Sequence, residues 1–310
     1  MKIVLAGSGG LLGGNFLLTA LQDGHDVVAI YHRSPILSND CLTVRADLSD
    51  KESVLRIIGE HKPDWVVNCV ALTDIDYCQK HPQQSDLINV KVPAYMAEAC
   101  AGVGAGFVYI SSDAIFDGKR GGYAEADVPA PVNEYAKGKW QGEKASAELN
   151  PRSLILRTNI FGWNTKQKVN LAEWIVNTLD SGKSLKGFTD TIFNPLLVND
   201  LSRVILAMIS KNLTGMYHLG AADACSKHDF ALKIAAAFGL DASLIEEALL
   251  HEVNFQTPRP LNTTLKVGKA EAALGFKMPG IDQSIGSFKR LRGEPFYARL
   301  RELSVGATNA

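Results

Sequence analysis
The chain has 310 residues, 46% of them hydrophobic, and a formal net charge of −1 spread over interspersed acids and bases. That is enough apolar content for one large core or two smaller ones, and it gives nucleic acid and anionic membranes no electrostatic handle. Cys41, Cys69, Cys78, Cys100 and Cys225 form no CxxC pair and the seven histidines form no HxxxH or HExxH arrangement. Reduced thiols, no metal and a cytoplasmic location are therefore expected. The apolar run after Lys2 ends at Gly7, much too short for a signal peptide or a membrane span.

Residues 2–6 read as a strand of the doubly covered parallel kind, running into GSGGLLGG and an apolar-periodic stretch over 16–21. Strand, glycine turn and helix in that order suit a dinucleotide. Gly7, Gly10 and Gly13, three apart, let the backbone turn tightly and approach a pyrophosphate, which would sit on the free N–H groups at the helix start, at Leu11 and Leu12. The second strand, 26–31, ends in Tyr31-His32-Arg33-Ser34. No carboxylate follows it to bind ribose hydroxyls, and Arg33 with Ser34 suits a 2′-phosphate, so NADP(H) is the preferred cofactor with NAD(H) also accommodated.

A third strand over 42–46 leads to Asp47, and Ser49 with Glu52 has the pattern of a capping box for a helix over 51–61, which Pro63 stops. A fourth strand covers 64–71. A long helical region follows over 82–102, kinked or split at Pro93. The fifth strand, 107–111, delivers Ser112 and Asp113 to the sheet edge where open parallel sheets bind ligands. The alternation of strands and amphipathic helices predicts an α/β, doubly wound parallel sheet.

In the stretch NEYAKGKWQGE, residues 133–143, Tyr135 and Lys139 stand four apart on one face of a predicted helix. A lysine beside a tyrosine favours the phenolate, so a phenol pKa lowered from about 10 is expected of this acid/base pair. Further strands over 153–158 and 216–219 indicate that the first 150 residues do not complete the sheet. Between them lie a helix over 170–179, a loop-like region and a helix over 200–209; Ser226 and Asp229 cap another that runs to 238. The expected division is a dinucleotide-binding part, 1–160 plus about 194–222, and a smaller interleaved part, 161–193 and 223–300, with a tail at 301–310 that is small and polar enough to fray after Val305. Asn170 and Arg259 are the polar candidates for substrate there, Arg259 because its fork of donors suits a diphosphate.

These residues resemble the extended short-chain dehydrogenase/reductase superfamily, and within it the dTDP-4-dehydrorhamnose reductase (RmlD-like) branch. The likeness lies in the GxxGxxG turn, Asp47-Leu48, the NCVA ending at Ala71, YISSDAIFDG (109–118) and the YxxxK of Tyr135 and Lys139. It continues in LRTNIFG (156–162), the NP...DL of 194–201, GMYHLG (215–220) and RPLNTTL (259–265). The resemblance implies a Rossmann sheet with a smaller C-terminal substrate-binding domain. It also implies Tyr135 as proton donor to a carbonyl oxygen, Ser112 as hydrogen-bonding partner of that oxygen, Asp113 beside the substrate, and Lys139 on the nicotinamide ribose. Asp47, Leu48 and Ala71 would join the cofactor site. The implied activity is NAD(P)H-dependent reduction of a 4-keto nucleotide-sugar, the alternatives being a nucleotide-sugar 4-epimerase or epimerase/reductase, or a non-catalytic cofactor-binding regulatory subunit. Two departures bear on the sugar: Ala114 replaces an aromatic residue, and Gln79 a glutamate. The oligomeric state stays open, a homodimer included.

Overall fold
The run Lys2–Ala6 becomes β1, an interior strand of a seven-stranded parallel sheet. A computed structural model of the protein describes residues 1–33, 35–165 and 169–303. Around β1 stand β2 (Asp26–Tyr31), β3 (Leu42–Arg45), β4 (Trp65–Asn68), β5 (Gly106–Ser112), β6 (Ser153–Thr158) and β7 (Gly215–Leu219), in the order β7-β6-β5-β4-β1-β2-β3. The order reverses between β1 and β4, which opens a crevice at their carboxyl ends. As expected, the last strand is contributed by the second half of the chain.

Helices cover both faces, which is why the strands are apolar throughout rather than alternating. On one face α1 (Leu11–Gln22) packs beside α8 (Val198–Ser210); on the other, α2 (Lys51–His61), α5 (Val92–Val103) and α6 (Glu134–Leu149) lie together. The boundaries of α2 match the prediction, but its cap does not. Asp50, not Ser49, is the N-cap, accepting from the N–H groups of Glu52 and Ser53, while Ser49 donates to Asp47. A carboxylate one residue closer to the helix accepts the same amides with full charge against the helix dipole.

The predicted long helix over 82–102 is three pieces: α4 (Pro82–Asp86), a π turn at Leu87–Lys91, and α5. A short helix, α3 (Ile75–Lys80), precedes them and carried no prediction. Pro93 has no N–H for the carbonyl four residues back, at Asn89. That carbonyl instead accepts from the Tyr109 hydroxyl at 3.1 Å, and the widened turn is where the chain makes room for it. Helix α6 then approaches closely only because residue 142 is glycine: a Cβ there would stand 2.3 Å from both the Asn89 oxygen and the Tyr109 hydroxyl. The glycine of the KxxGE run thus sets how near Lys139 lies to the sheet.

The second half adds α7 (Leu171–Asp180), α9 (Lys227–Phe238), capped by the predicted Ser226–Asp229 box, α10 (Gly268–Leu274), α11 (Ile281–Leu291) and α12 (Pro295–Glu302). The region read as loop-like contains a strand, Leu185–Phe188, that pairs in parallel with Ile245–Ala248, a partner sixty residues away that no local pattern announces. The tail expected at 301–310 begins as helix: α12 reaches Glu302 and Leu303 is buried. Residues 304–310 lie outside the described residues. No helix among the described residues is long and apolar enough to cross a membrane.

Candidate active site
A cleft of about 870 Å³ runs along the carboxyl ends of the strands, from Gly7, Gly10, Leu11, Leu12 and Arg33 at one end to Ser112, Tyr135 and Lys139 at the other, with Ala71 in its wall. The glycine turn is shaped by contact. Gly7 has φ +77, and a Cβ on it would meet the backbone of Cys69 at 2.9 Å; a Cβ on Gly13 would stand 2.1 Å from the Gly7 oxygen. Gly10 is the N-cap of α1 and supplies no side-chain cap, so the first-turn amides of Leu11 and Leu12 are left for a ligand. In the cleft wall the buried Asn68 Nδ2, Ser111 Oγ and Thr158 Oγ1 have no hydrogen-bond partner within the protein. A cradle without side chains, free helix-start amides and unpartnered polar atoms along one groove fit a dinucleotide. Gly13→Ala is expected to weaken nicotinamide-nucleotide binding by more than about tenfold and to cost about 1–3 kcal/mol of stability through overpacking; calorimetric titration and urea melts read the two effects.

At the other end, α6 starts at the Asn133 N-cap, whose Oδ1 accepts from the Ala136 N–H at 2.9 Å while its Nδ2 donates to the Pro258 carbonyl. Gln79, one of the two departures, accepts from the Glu134 N–H at 3.2 Å and so serves this same helix start. Ser112 accepts from the Ala114 N–H and donates to Asp113 Oδ1, each at 3.1 Å. Asp113 is almost fully buried; Asn159 Nδ2 at 3.0 Å and the Thr263 hydroxyl at 2.5 Å both donate to its Oδ2. Burial raises its carboxyl pKa, and those hydrogen bonds with the nearby Lys227 pull it back.

The expected lowering of the tyrosine pKa is not what the structure has. Burial pushes the Tyr135 phenol up to about 12, with its hydrogen bond to Ser112 opposing and the Asp113 charge adding to the rise. Lys139 does not act on it. Its Nζ lies 4.2 Å from the centre of the Tyr109 ring, and burial brings the ammonium down to about 7, opposed by Glu143 and Cys69. Desolvation outweighs the pairing that spacing alone suggested, because both groups are packed under the sheet edge. The consequence for stability has a definite sign. Between about 7 and 10.5 the unfolded chain holds a proton on residue 139 that the folded chain has lost, so stability rises with pH across that window. The change in melting temperature from pH 7 to pH 9 is expected to be more positive in wild type than in Lys139→Met, which lacks this contribution.

The remaining predicted residues divide. Arg33 is an exposed cleft residue; Ser34 lies outside the described residues. Asp47 is not in the cleft wall but stands 3.9 Å from His32, so β3 supplies beside the β2 end the carboxylate that the sequence after β2 lacks. Leu48 is packed in the core among Val54 and Ile57. Asn170 lines the cleft, yet its amide is committed: it caps α7, its Oδ1 accepting from Ala172 and its Nδ2 donating to the Gly162 carbonyl and Glu173. Arg259 opens on a separate hollow with Asp190 and His251, pairs with Asp76 at 3.2 Å and stacks over Phe255. Sequence reasoning missed Asn159, Thr263 and Lys227. The first two sit in the LRTNIFG and RPLNTTL runs, where a polar residue at a strand end was the available signal.

The other motif residues hold the frame. Asn194 donates to the Ala221 and Leu265 carbonyls and accepts from the Leu265 N–H, tying the 259–265 segment down. Glu143 accepts from Arg157 Nε at 2.9 Å and Nη2 at 2.7 Å, both side chains buried.

A family model described as the RmlD substrate binding domain matches residues 1–290. The chain is 32% identical over 293 residues to a probable low-salt glycan biosynthesis reductase, Agl14, of Haloferax volcanii, covering 93% of this chain and 97% of that one. It is 27% identical over 313 residues to the methionine adenosyltransferase 2 subunit beta of Xenopus laevis, covering 96% and 91%. Among solved structures it is similar to dTDP-4-dehydrorhamnose reductase from Bacillus anthracis in complex with NADP, with a TM-score of 0.84 at 25% identity, covering 94% of this chain and 99% of that one.

Proposed function
We propose that this chain, which belongs to the RmlD substrate binding domain family, is an NAD(P)H-dependent reductase of a 4-keto nucleotide-sugar. The observation that carries the reading is the convergence of Ser112, Tyr135 and Lys139 on one end of a cleft whose other end is the glycine turn. A reduced nicotinamide, when bound, supplies hydride to the ketone carbon. Negative charge then develops on the ketone oxygen, and a positioned phenol stabilises it by giving up its proton. A phenol held near 12 is protonated at neutral pH and so starts as a donor. Ser112, already bonded to Asp113, fixes the phenol's direction and offers a second polar contact at the same oxygen. Lys139 would hold the nicotinamide ribose, and the amides of Leu11 and Leu12 the pyrophosphate.

Arg33 supports NADP(H) as the preferred cofactor, with the carboxylate of Asp47 nearby as its counterweight. Thermal shift should therefore be larger with NADPH than with NADH. The test of the whole reading is loss of NADPH absorbance with a panel of 4-keto nucleotide-sugars. Stoichiometric oxidation supports a reductase, and interconversion of sugars without net oxidation would replace it by an epimerase. Binding of NADPH with no turnover on any sugar would favour a cofactor-binding subunit, and one relative is named as a subunit of methionine adenosyltransferase 2.

A further inference from the structure
Helix α12 (Pro295–Glu302) lies beyond residue 290, where the family match ends, yet it reaches the cleft wall at Asn164 and, on its other side, Leu37 and Asp40. On one side the Leu303 carbonyl accepts from the Leu37 N–H at 3.1 Å and Arg299 pairs with Asp40, so the helix holds the segment that follows Arg33. On the other side Arg301 Nη1 donates to the Asn164 carbonyl at 3.1 Å, and its Nη2 stands 3.7 Å from the buried Glu173 carboxylate. Glu173 in turn accepts from the Asn164 N–H, and the neighbouring Thr165 hydroxyl donates to the Gly9 carbonyl at 2.8 Å. Between these two attachments Leu300 is fully buried against Gly14 of α1, and Tyr297 meets the Trp163 ring edge to face at 5.2 Å.

We propose that Arg301 is a positioning residue for nicotinamide-nucleotide binding, acting through Asn164, Thr165 and the Gly9 carbonyl. The inference rests on the nicotinamide-dependent reading of the cleft. Arg301 touches no part of the phosphate turn itself. It fixes the 164–165 segment, and that segment fixes the turn. A side chain with five donors in a rigid fork suits this task, since one guanidinium can serve a carbonyl and a carboxylate at once. The sugar end of the cleft, at Ser112 and Tyr135, has no contact with α12.

The test is calorimetric titration of NADPH into the full chain, with steady-state kinetics on the same preparations, for wild type, Arg301→Met and Arg301→Lys. Loss of a charged donor should raise the Kd for NADPH about tenfold in Arg301→Met. KM for NADPH should rise in parallel while KM for the sugar holds. Arg301→Lys, which keeps one charged donor, should recover part of the affinity. A merely structural role would lower the melting temperature and the fraction of active protein but leave the Kd of the folded fraction where it was, and that result would overturn the inference. Equal Kd values in wild type and Arg301→Met would overturn it too, while leaving the functional reading intact. No binding by wild type would overturn the functional reading and this inference with it.

Discussion

Under the proposed function, Tyr135→Phe should lower kcat by about 10²–10⁴-fold while leaving the Kd for NADPH within about twofold, because it would remove the proton donor and keep the ring. The ring keeps its place on α6, behind the Asn133 cap, so packing changes little. What is lost is the hydroxyl that burial holds at a pKa near 12 and that Ser112 orients. A phenol of that pKa stays protonated from pH 6 to 9, so wild-type reduction should show no loss of its proton donor across that range. Any titration near pH 7 should belong to Lys139, whose ammonium is brought down to about that value, and should be absent in Lys139→Met. Stopped-flow and steady-state turnover at saturating NADPH and sugar read the effect directly. Unchanged turnover in Tyr135→Phe would sink the assignment of the phenol as donor.

Ser112→Ala makes an instructive comparison. Its hydroxyl is shared among Asp113, the Ala114 amide and the phenol, so its loss removes orientation rather than the proton itself. A single hydrogen bond of this kind contributes on the order of 1 kcal/mol, which makes a smaller fall than that of Tyr135→Phe the expected order.

Which of these features could be read in the sequence follows from how far apart their causes lie. Strand β1, the turn at Gly7, Gly10 and Gly13 and the start of α1 come from contiguous residues whose spacing states the contact they must make. The same holds for Tyr135 and Lys139, four apart on one helix. At α2 the sequence pattern puts the cap at Ser49, and the charged Asp50 beside it holds the position instead. Pro93 announced a break, but its form depends on where the Asn89 carbonyl finds a donor, and Tyr109 is twenty residues away. The pKa values of Tyr135 and Lys139 lay beyond the sequence for the same reason: spacing gives proximity along a helix, whereas burial comes from tertiary packing, which sets the Lys139 ammonium against the Tyr109 ring of β5. Arg259 meets Asp76 across 183 positions, and no local rule foresees that partner.

Glu143→Ala should lower the unfolding free energy by about 3–5 kcal/mol, the cost of leaving the buried Arg157 guanidinium without its carboxylate. The pair is bidentate, at 2.9 and 2.7 Å, with both side chains shut from solvent, so water cannot replace the missing oxygens. His218 Nε2, 3.3 Å from Arg157, is no substitute: burial takes its pKa down to about 4, so the ring is neutral, and an imidazole in either protonation state lacks the negative charge that offsets a cation. The double replacement Glu143→Leu with Arg157→Met should recover most of the loss, since apolar side chains of similar volume often match a buried ion pair in stability. Function should not recover with it. Glu143 is one helical turn beyond Lys139 and opposes the desolvation of its ammonium, so without that carboxylate the lysine pKa should fall further below about 7. Urea unfolding of Glu143→Ala and of the double variant measures the first effect, and the pH dependence of NADPH binding measures the second. A double variant as unstable as Glu143→Ala would show that the pair contributes geometry which apolar packing cannot supply.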